Sequence, residues 1–166
     1  MLALAGPPAF AASDPAAATG PLAAMNYFLG SWNCTGGPVG PPPGKATVAY
    51  EVETGNIIQE ALDVAAAGKS PALHFLTAYA YDAKKHRIYS AGVNGMGEWG
   101  VSWSAGWKGD VLAWTDVVTS DGDLGRGTIT KAGATAYNIL AYAKVKGVEK
   151  VVLKVHCDKA PPATPK

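Results

Sequence analysis

The residues best suited to holding a ligand are tryptophans that recur at every fourth position of one segment. If the stretch from Trp99 to Trp107 forms a β-strand, then Trp99, Trp103 and Trp107 share one face. Such a face predicts an aromatic wall for a flat or hydrophobic ligand, with an indole N–H to hold a polar end. The alternative is a face covered by neighbouring strands or by a helix. Alternation alone does not tell which face of the strand points inward.

Polar side chains inside other predicted strands form a second set of candidates. Glu60 interrupts an apolar stripe, Tyr79 shares a face with further aromatic side chains, and Tyr89 shares one with Arg87. A carboxylate that is buried alone is costly unless it pairs or its pKa rises. A pairing of Glu60 with Arg126 inside a cavity could bind a carboxylate or hydroxyl group. The alternative for each residue is exposure on the outer face.

Motifs for covalent or phosphate chemistry are missing from the sequence, which has neither a Gly-x-Ser-x-Gly elbow nor a phosphate-binding loop. No Cys or His spacing is typical of a metal site. His156 could ligate a haem or a metal, but it alternates with the apolar stripe that contains Cys157, so we predict that it faces outward. We therefore expect a protein without a cofactor.

Composition excludes two classes of partner. Charged residues make up 16% of the 166 residues, the formal net charge is +1, and no run of basic residues occurs. A nucleic acid or an anionic membrane surface is therefore not expected as a partner. The sequence also lacks the ~20 consecutive apolar residues that a membrane-spanning helix needs. We expect a single domain, present as a monomer or a homodimer.

Both ends of the chain differ from its middle. Residues 1–20 are rich in alanine and proline and contain the small-x-small pattern Ala9-Phe10-Ala11 of a signal-peptide cleavage site, although a disordered leader is the alternative. Residues 159–166 are predicted to be a disordered tail. The two cysteines, Cys34 and Cys157, lie in the first and last predicted strands. A disulfide between them would persist in the periplasm or outside the cell, and two buried thiols are the alternative.

Short alternating segments separated by turn residues fill the region between the ends, residues 21–158. A helix is predicted over 21–29, with Gly30 as its stop. Strands are predicted over 31–36, 45–53, 56–65, 72–81, 86–94, 97–107, 110–118, 124–131, 134–144 and 148–158. No later segment is long enough for a helical crossover. The fold class is therefore all-β, an antiparallel up-and-down barrel of about ten strands with a short N-terminal helix.

Three short motifs resemble the calycin group of lipocalins, fatty-acid-binding proteins and nitrobindin-like barrels. They are Met25-Asn26-Tyr27-Phe28-Leu29 leading into Gly30-Ser31-Trp32, Tyr79-Ala80-Tyr81-Asp82, and Gly106-Trp107-Lys108-Gly109-Asp110. The chain is most similar to uncharacterised bacterial lipocalin-like domains. This resemblance implies a cavity at one open end and Trp32 closing the other end. It also implies an arginine from a late strand over Trp32, for which Lys154 would be the nearest substitute in this chain, and in nitrobindin-like members a haem on a histidine that only His156 could match.

The leading hypothesis is an exported, soluble, cofactor-free protein that binds a small hydrophobic or aromatic molecule in its barrel. The predicted cavity lining is Tyr79, Tyr89, Trp99 and Trp103, with Arg126 or Glu60 as the polar anchor. A second hypothesis is a cofactor-independent lyase, isomerase or cyclase that uses a tyrosine or histidine near a desolvated carboxylate. Haem binding through His156 and adhesion through an exposed tryptophan patch are further alternatives.

Overall fold

More buried and more exposed residues alternate clearly along several segments after Leu29, among them Gly30–Pro38, Gly44–Glu53 and Leu73–Asp82. In the computed structural model, which describes residues 17–53, 56–68 and 70–161, the chain forms eleven strands after one 3₁₀ helix. The predicted cleavage site at residues 9–11 and the tail residues 162–166 lie outside the described residues. The helix is Gly20–Phe28 and the strands are β1 Gly30–Pro38, β2 Gly44–Glu53, β3 Ile57–Val64, β4 Leu73–Asp82, β5 Arg87–Asn94, β6 Trp99–Ser104, β7 Trp107–Lys108, β8 Val111–Thr119, β9 Arg126–Lys131, β10 Ala136–Val145 and β11 Val148–Lys159.

The strands form one antiparallel sheet that closes on itself. Each long strand pairs with its neighbour in sequence, β1 pairs with β11, and β6 pairs with β8 to complete the ring. The two-residue β7 pairs only with β8, so ten strands make up the barrel. The predicted antiparallel barrel of about ten strands is confirmed. Closure leaves no exposed strand edge in the ring, which protects a chain this rich in strands from pairing with other chains.

The single strand predicted over 97–107 is divided at its end. Gly106 has a φ of +94°, a left-handed backbone conformation that favours glycine. The chain turns there, and Trp107 leaves the face that holds Trp99 and Trp103. Its ring instead stacks on Phe28 with 5.6 Å between centroids, and its Nε1–H donates to the carbonyl of Ala24 at 2.9 Å. The three tryptophans therefore do not share one face.

One end of the barrel is closed by the 3₁₀ helix. Leu22, Met25 and Phe28 are buried beneath it against the inner ends of the strands. Trp32, fully buried, donates from Nε1 to the carbonyl of Phe28 at 2.6 Å and packs edge-on against Tyr137, with 4.7 Å between ring centroids. We call the five aromatic residues at this end, Tyr27, Phe28, Trp32, Trp107 and Tyr137, the aromatic plug.

A lysine of the last strand lies over Trp32, but it is not the residue that the resemblance implied. The Nζ of Lys159 is 5.2 Å from the centre of the Trp32 ring, a cation–π distance. Lys154 is exposed on β11. The reason is that successive side chains of a strand face opposite sides. Val155, Cys157 and Lys159 face the inner side of β11, whereas Lys154 faces outward.

The predicted disulfide between the first and last strands is confirmed. Cys34 on β1 and Cys157 on β11 are register partners with a Cα–Cα distance of 4.0 Å, and both are buried. The bond therefore fixes the seam at which the two ends of the chain close the ring. Within the described residues, the structure contains no helix with the length and apolar character needed to cross a bilayer.

Candidate ligand-binding site

Inward-facing side chains enclose a lumen that opens at the end opposite the aromatic plug. An apolar cavity of about 250 Å³ lies among Val48, Leu62, Phe75 and side chains of the strands at the disulfide seam. A polar cavity of about 260 Å³ lies on the other side of the barrel, among Ser90, Ser102, Trp114 and residues of β9. The two cavities share Tyr50, Glu60 and Ile139 as lining residues, so they adjoin at the middle of the lumen.

Two further cavities lead from the lumen to the surface. A mouth cavity of about 550 Å³ lies between the proline-rich segment 41–43 and residues of 65–68 and 70–71, and it shares Gly36, Gly37 and Val64 with the apolar cavity. A rim cavity of about 370 Å³ shares Thr77, Ser90 and Ser102 with the polar cavity. A ligand therefore has a path from solvent to the middle of the barrel.

The largest depression, about 690 Å³, lies elsewhere. It follows the outer wall along Asn33, Thr35, Thr47 and the hydrogen-bonded pair of His74 and Asp63, whose Nδ1 and Oδ1 atoms are 2.6 Å apart. Both side chains of the pair are more than half exposed. Ligand sites bury most of a ligand's surface. An open outer groove does not do this, and the lumen is the candidate site.

Four polar side chains converge where the apolar and polar cavities meet. Glu60 on β3 lies opposite Tyr50 on β2, and Tyr79 on β4 donates its hydroxyl hydrogen to Glu60 Oε2. Tyr137 on β10 is fully buried beside Tyr50, and its hydroxyl lies near enough to the Tyr50 hydroxyl to affect its pKa but makes no hydrogen bond of normal geometry among the described residues. We call Tyr50, Glu60, Tyr79 and Tyr137 the tyrosine–glutamate cluster.

Burial controls the protonation of this cluster. It raises the pKa of Glu60, while hydrogen bonds from Tyr79 and Tyr50 act in the opposite direction. Glu60 is only partly buried, and it lines both the apolar and the polar cavity of the lumen. The pKa values of Tyr50 and Tyr79 are raised well above the ordinary value for tyrosine. The larger cause is burial and the second is the nearby charge of Glu60. The tyrosines therefore remain protonated at neutral pH and can donate hydrogen bonds.

Two of the six residues predicted to bind ligand lie in the cluster. Tyr79 and Glu60 face the lumen and contact each other. Trp99 lies at the rim cavity with 48% of its surface exposed. It does not form a lumen wall, because Gly100, Ser102 and Ser104 occupy the inner side of β6.

The other three predicted binding residues lie on the outer wall. The ring of Tyr89 has Lys85 Nζ 5.5 Å from its centre, and Trp103 lies beneath the Arg87 guanidinium at 3.7 Å. Arg126 makes two hydrogen bonds to Glu149, at 2.7 and 2.6 Å, on the surface. The hypothesised pairing of Arg126 with Glu60 is therefore absent, because Arg126 points away from the lumen.

His156 lies where its alternation predicted, exposed on the outside of β11. Its Nδ1 is 2.8 Å from Asn138 Oδ1 and its Nε2 is 3.3 Å from Asp158 Oδ1. The lumen thus receives no histidine from β11. Across the described ranges, no group of three His, Cys, Asp or Glu side chains could hold a metal ion.

Sequence reasoning missed Tyr50, Tyr137 and Trp114 as lumen residues. Two of them share an inward-facing stripe with an apolar residue two positions away, Tyr50 with Val48 and Tyr137 with Ile139. The same stripe is typical of ordinary core packing. The signal that could have identified these two residues was a hydroxyl group on an otherwise apolar, inward-facing stripe. Trp114 faces Tyr79 across the lumen, with 5.6 Å between ring centroids.

The comparisons with known proteins relate the chain to others through its fold. No protein-family model matches it, and no curated protein does. Among solved structures, it is similar to Rv2717c from M. tuberculosis, with a TM-score of 0.67 and 11% identity over 87% of this chain and 99% of that one. A redesigned β-barrel matches with a TM-score of 0.47 and 6% identity, over 83% of this chain and 96% of that one. The likeness to Rv2717c shows a shared barrel fold.

Proposed function

We propose that this chain is an exported, lipocalin-like binding protein whose lumen takes a small hydrophobic or aromatic molecule. The observation that carries the proposal is the lumen itself, which is closed by the aromatic plug at one end and reached through the mouth cavity at the other. The adjoining cavities of about 250 and 260 Å³ are together within the ~300–1,000 Å³ range of small-molecule sites. The apolar wall of the first cavity and the few polar groups that converge where the two cavities meet are typical of such sites.

Export is supported by the disulfide. A bond between Cys34 and Cys157 persists in an oxidising compartment and is rare in the cytosol. We therefore place the protein in the periplasm or outside the cell. Intact-mass measurement of the protein from its own host tests this, since export predicts a disulfide-bonded chain that lacks its leader. A full-length chain with free thiols would contradict it.

Binding is tested by titration with N-phenyl-1-naphthylamine, an apolar fluorophore that brightens when it leaves water. We expect saturable binding that weakens about tenfold or more in Ile139→Trp, because Ile139 lines both lumen cavities and the larger ring fills them. Val117→Trp is the matched control, since Val117 is 48% exposed on the outer wall. Circular dichroism establishes that both variants are folded. Equal affinity in the two variants, or no saturable binding, would contradict the proposal.

A cofactor-independent lyase, isomerase or cyclase is the second candidate, favoured by the Tyr79–Glu60 hydrogen bond beside an open cavity. A carboxyl group whose pKa is raised by burial is suited to move a proton near neutral pH, and Tyr79 could polarise a substrate oxygen. Mass spectrometry of small molecules retained from the host, before and after incubation with the protein, distinguishes the two. A catalyst converts its ligand, and Glu60→Gln would abolish conversion while binding remains.

A further inference from the structure

We propose that the lumen selects, among small apolar molecules, those that carry a hydroxyl group, and that it excludes carboxylates. The inference rests on the proposed function, because it names the chemical class of the ligand for the same site. It follows from the donors and acceptors of the tyrosine–glutamate cluster and from the distribution of charge around the lumen.

The tyrosine–glutamate cluster is complementary to a ligand group that both donates and accepts a hydrogen bond. A carboxylate has about four acceptor positions. The hydroxyl of Tyr79 occupies one of those on Glu60, so that others remain open to a ligand's donor. Tyr137 lines the apolar cavity with a buried hydroxyl that lies near Tyr50 but makes no hydrogen bond of normal geometry in the described part of the chain. A buried hydroxyl without a partner is costly, and a ligand's oxygen would remove that cost by accepting its hydrogen.

A hydroxyl group meets both requirements in one atom, since it donates one hydrogen and accepts through its lone pairs. A methyl ether can only accept, so it would leave Glu60 unpaired with the ligand. A hydrocarbon would do neither. Burial raises the pKa of all three tyrosines, which supports the geometry by keeping Tyr137 a donor at neutral pH.

The charges around the lumen disfavour an anionic ligand. Glu60 lies in the middle of the lumen, and Asp116 on its wall accepts from Ser102 Oγ at 2.6 Å. Glu98, Asp121 and Asp123 line the rim cavity. Lys45 is the single basic residue among the described residues lining the apolar, polar and rim cavities, and it is exposed on the outer side of β2.

The two arginines, and the two lysines beside the aromatic plug, do not neutralise the negative charge of these carboxylates. Arg87 and Arg126 lie on the outer wall, and Lys131 and Lys159 lie over rings of the aromatic plug. A carboxylate that enters the lumen would lose its hydration and meet like charge without a counter-ion.

The test uses four probes with the same naphthalene body: 2-naphthol, 2-methoxynaphthalene, 2-methylnaphthalene and 2-naphthoate. Isothermal titration or displacement of N-phenyl-1-naphthylamine at neutral pH gives their affinities. We expect 2-naphthol to bind about tenfold or more tightly than the ether and the hydrocarbon, because a site built to pair a hydroxyl rejects analogues that lack it. We expect no measurable binding of 2-naphthoate.

Two variants and one control locate the selectivity. Tyr137→Phe removes a hydroxyl that makes no hydrogen bond of normal geometry among the described residues, so the fold should persist while the preference for 2-naphthol falls severalfold. Glu60→Gln removes the central charge and should allow measurable binding of 2-naphthoate. Tyr89→Phe, which removes a hydroxyl from the outer wall, should leave all four affinities unchanged.

Equal affinity for all four probes would overturn the selectivity and leave the proposed function standing. Tighter binding of 2-naphthoate, or a preference for 2-naphthol that survives Tyr137→Phe unchanged, would also overturn it. If no probe binds while N-phenyl-1-naphthylamine does, the hydroxyl preference is wrong and the lumen still binds apolar molecules. If nothing binds, both proposals are wrong.

Discussion

Loss of the Cys34–Cys157 disulfide should lower the free energy of unfolding by about 5 kcal/mol. The two cysteines are 123 positions apart, so the bond closes most of the domain into one loop. In the chain-entropy treatment, the unfolded state then loses about 16 cal/mol/K, which is about 5 kcal/mol at room temperature. Stabilities of single domains are about 5–15 kcal/mol, so the bond contributes a large part of the total.

Reduction should act mainly on the unfolded chain. In the folded barrel, β1 and β11 pair from Trp32↔Lys159 to Pro38↔Leu153, and this ladder holds the two sulfur atoms together whether or not they are bonded. The lumen and the aromatic plug should therefore keep their arrangement in any reduced protein that stays folded.

The assay is equilibrium urea unfolding of three samples: oxidised protein, protein with a reductant, and the double variant Cys34→Ala/Cys157→Ala. Intact mass reports the oxidation state. The double variant should be no more stable than the reduced protein, because it also leaves a small cavity, and reductant should not change it. A difference of less than about 1 kcal/mol between oxidised and reduced protein would refute the entropic reasoning.

Three further predictions concern the lumen and the plug. Because burial raises the pKa of Glu60, the folded barrel loses stability as pH rises from the ordinary carboxyl value through the raised one. Glu60→Gln should therefore gain stability relative to the wild type over that interval, by about 1.4 kcal/mol for each unit by which the pKa is raised. Urea unfolding at a series of pH values measures this, and a pH-independent difference would contradict it. Trp32→Phe should cost about 3 kcal/mol, since it leaves a cavity and a buried carbonyl on Phe28 without its donor. The matched Trp99→Phe should change the unfolding free energy by less than about 0.5 kcal/mol, because Trp99 is 48% exposed, and equal losses would be evidence against the plug. Arg126→Ala should leave the affinity for 2-naphthol unchanged, since Arg126 pairs with Glu149 on the outer wall. A loss of affinity would restore Arg126 as a ligand anchor.

The barrel could be predicted because its signals are local. Alternation along each strand and the turn residues between strands depend only on neighbours in sequence. The disulfide could be predicted for a related reason, since an up-and-down ring necessarily brings the strand that holds Cys34 beside the strand that holds Cys157. The break at Gly106 was missed because a glycine at that position also fits a continuous strand.

The lumen was harder to predict because it depends on which face turns inward. Trp103 has the larger and more apolar side chain, yet Ser102 faces the lumen. The inner side of this part of the barrel is lined by small residues, Gly92 and Gly100 among them, and the added Cβ of a larger residue at 92 would lie 2.9 Å from Thr77 Oγ1. Close approach between β4 and β5 therefore requires a small residue at position 92, and the sequence of a single strand does not contain that information.

Tyr137 links the stability of the barrel to the chemistry of its lumen. Its ring belongs to the aromatic plug, packed 4.7 Å from Trp32 and 5.3 Å from Phe28 between centroids, while its hydroxyl reaches the tyrosine–glutamate cluster. A side chain clamped on both sides has few rotamers to lose when a ligand binds, so the hydroxyl is held in place before the ligand arrives. The opposite end of the lumen is bounded by loops rather than by packed rings. If the lumen binds a ligand as proposed, the fold combines a rigid floor that carries the polar group with an entrance between loops.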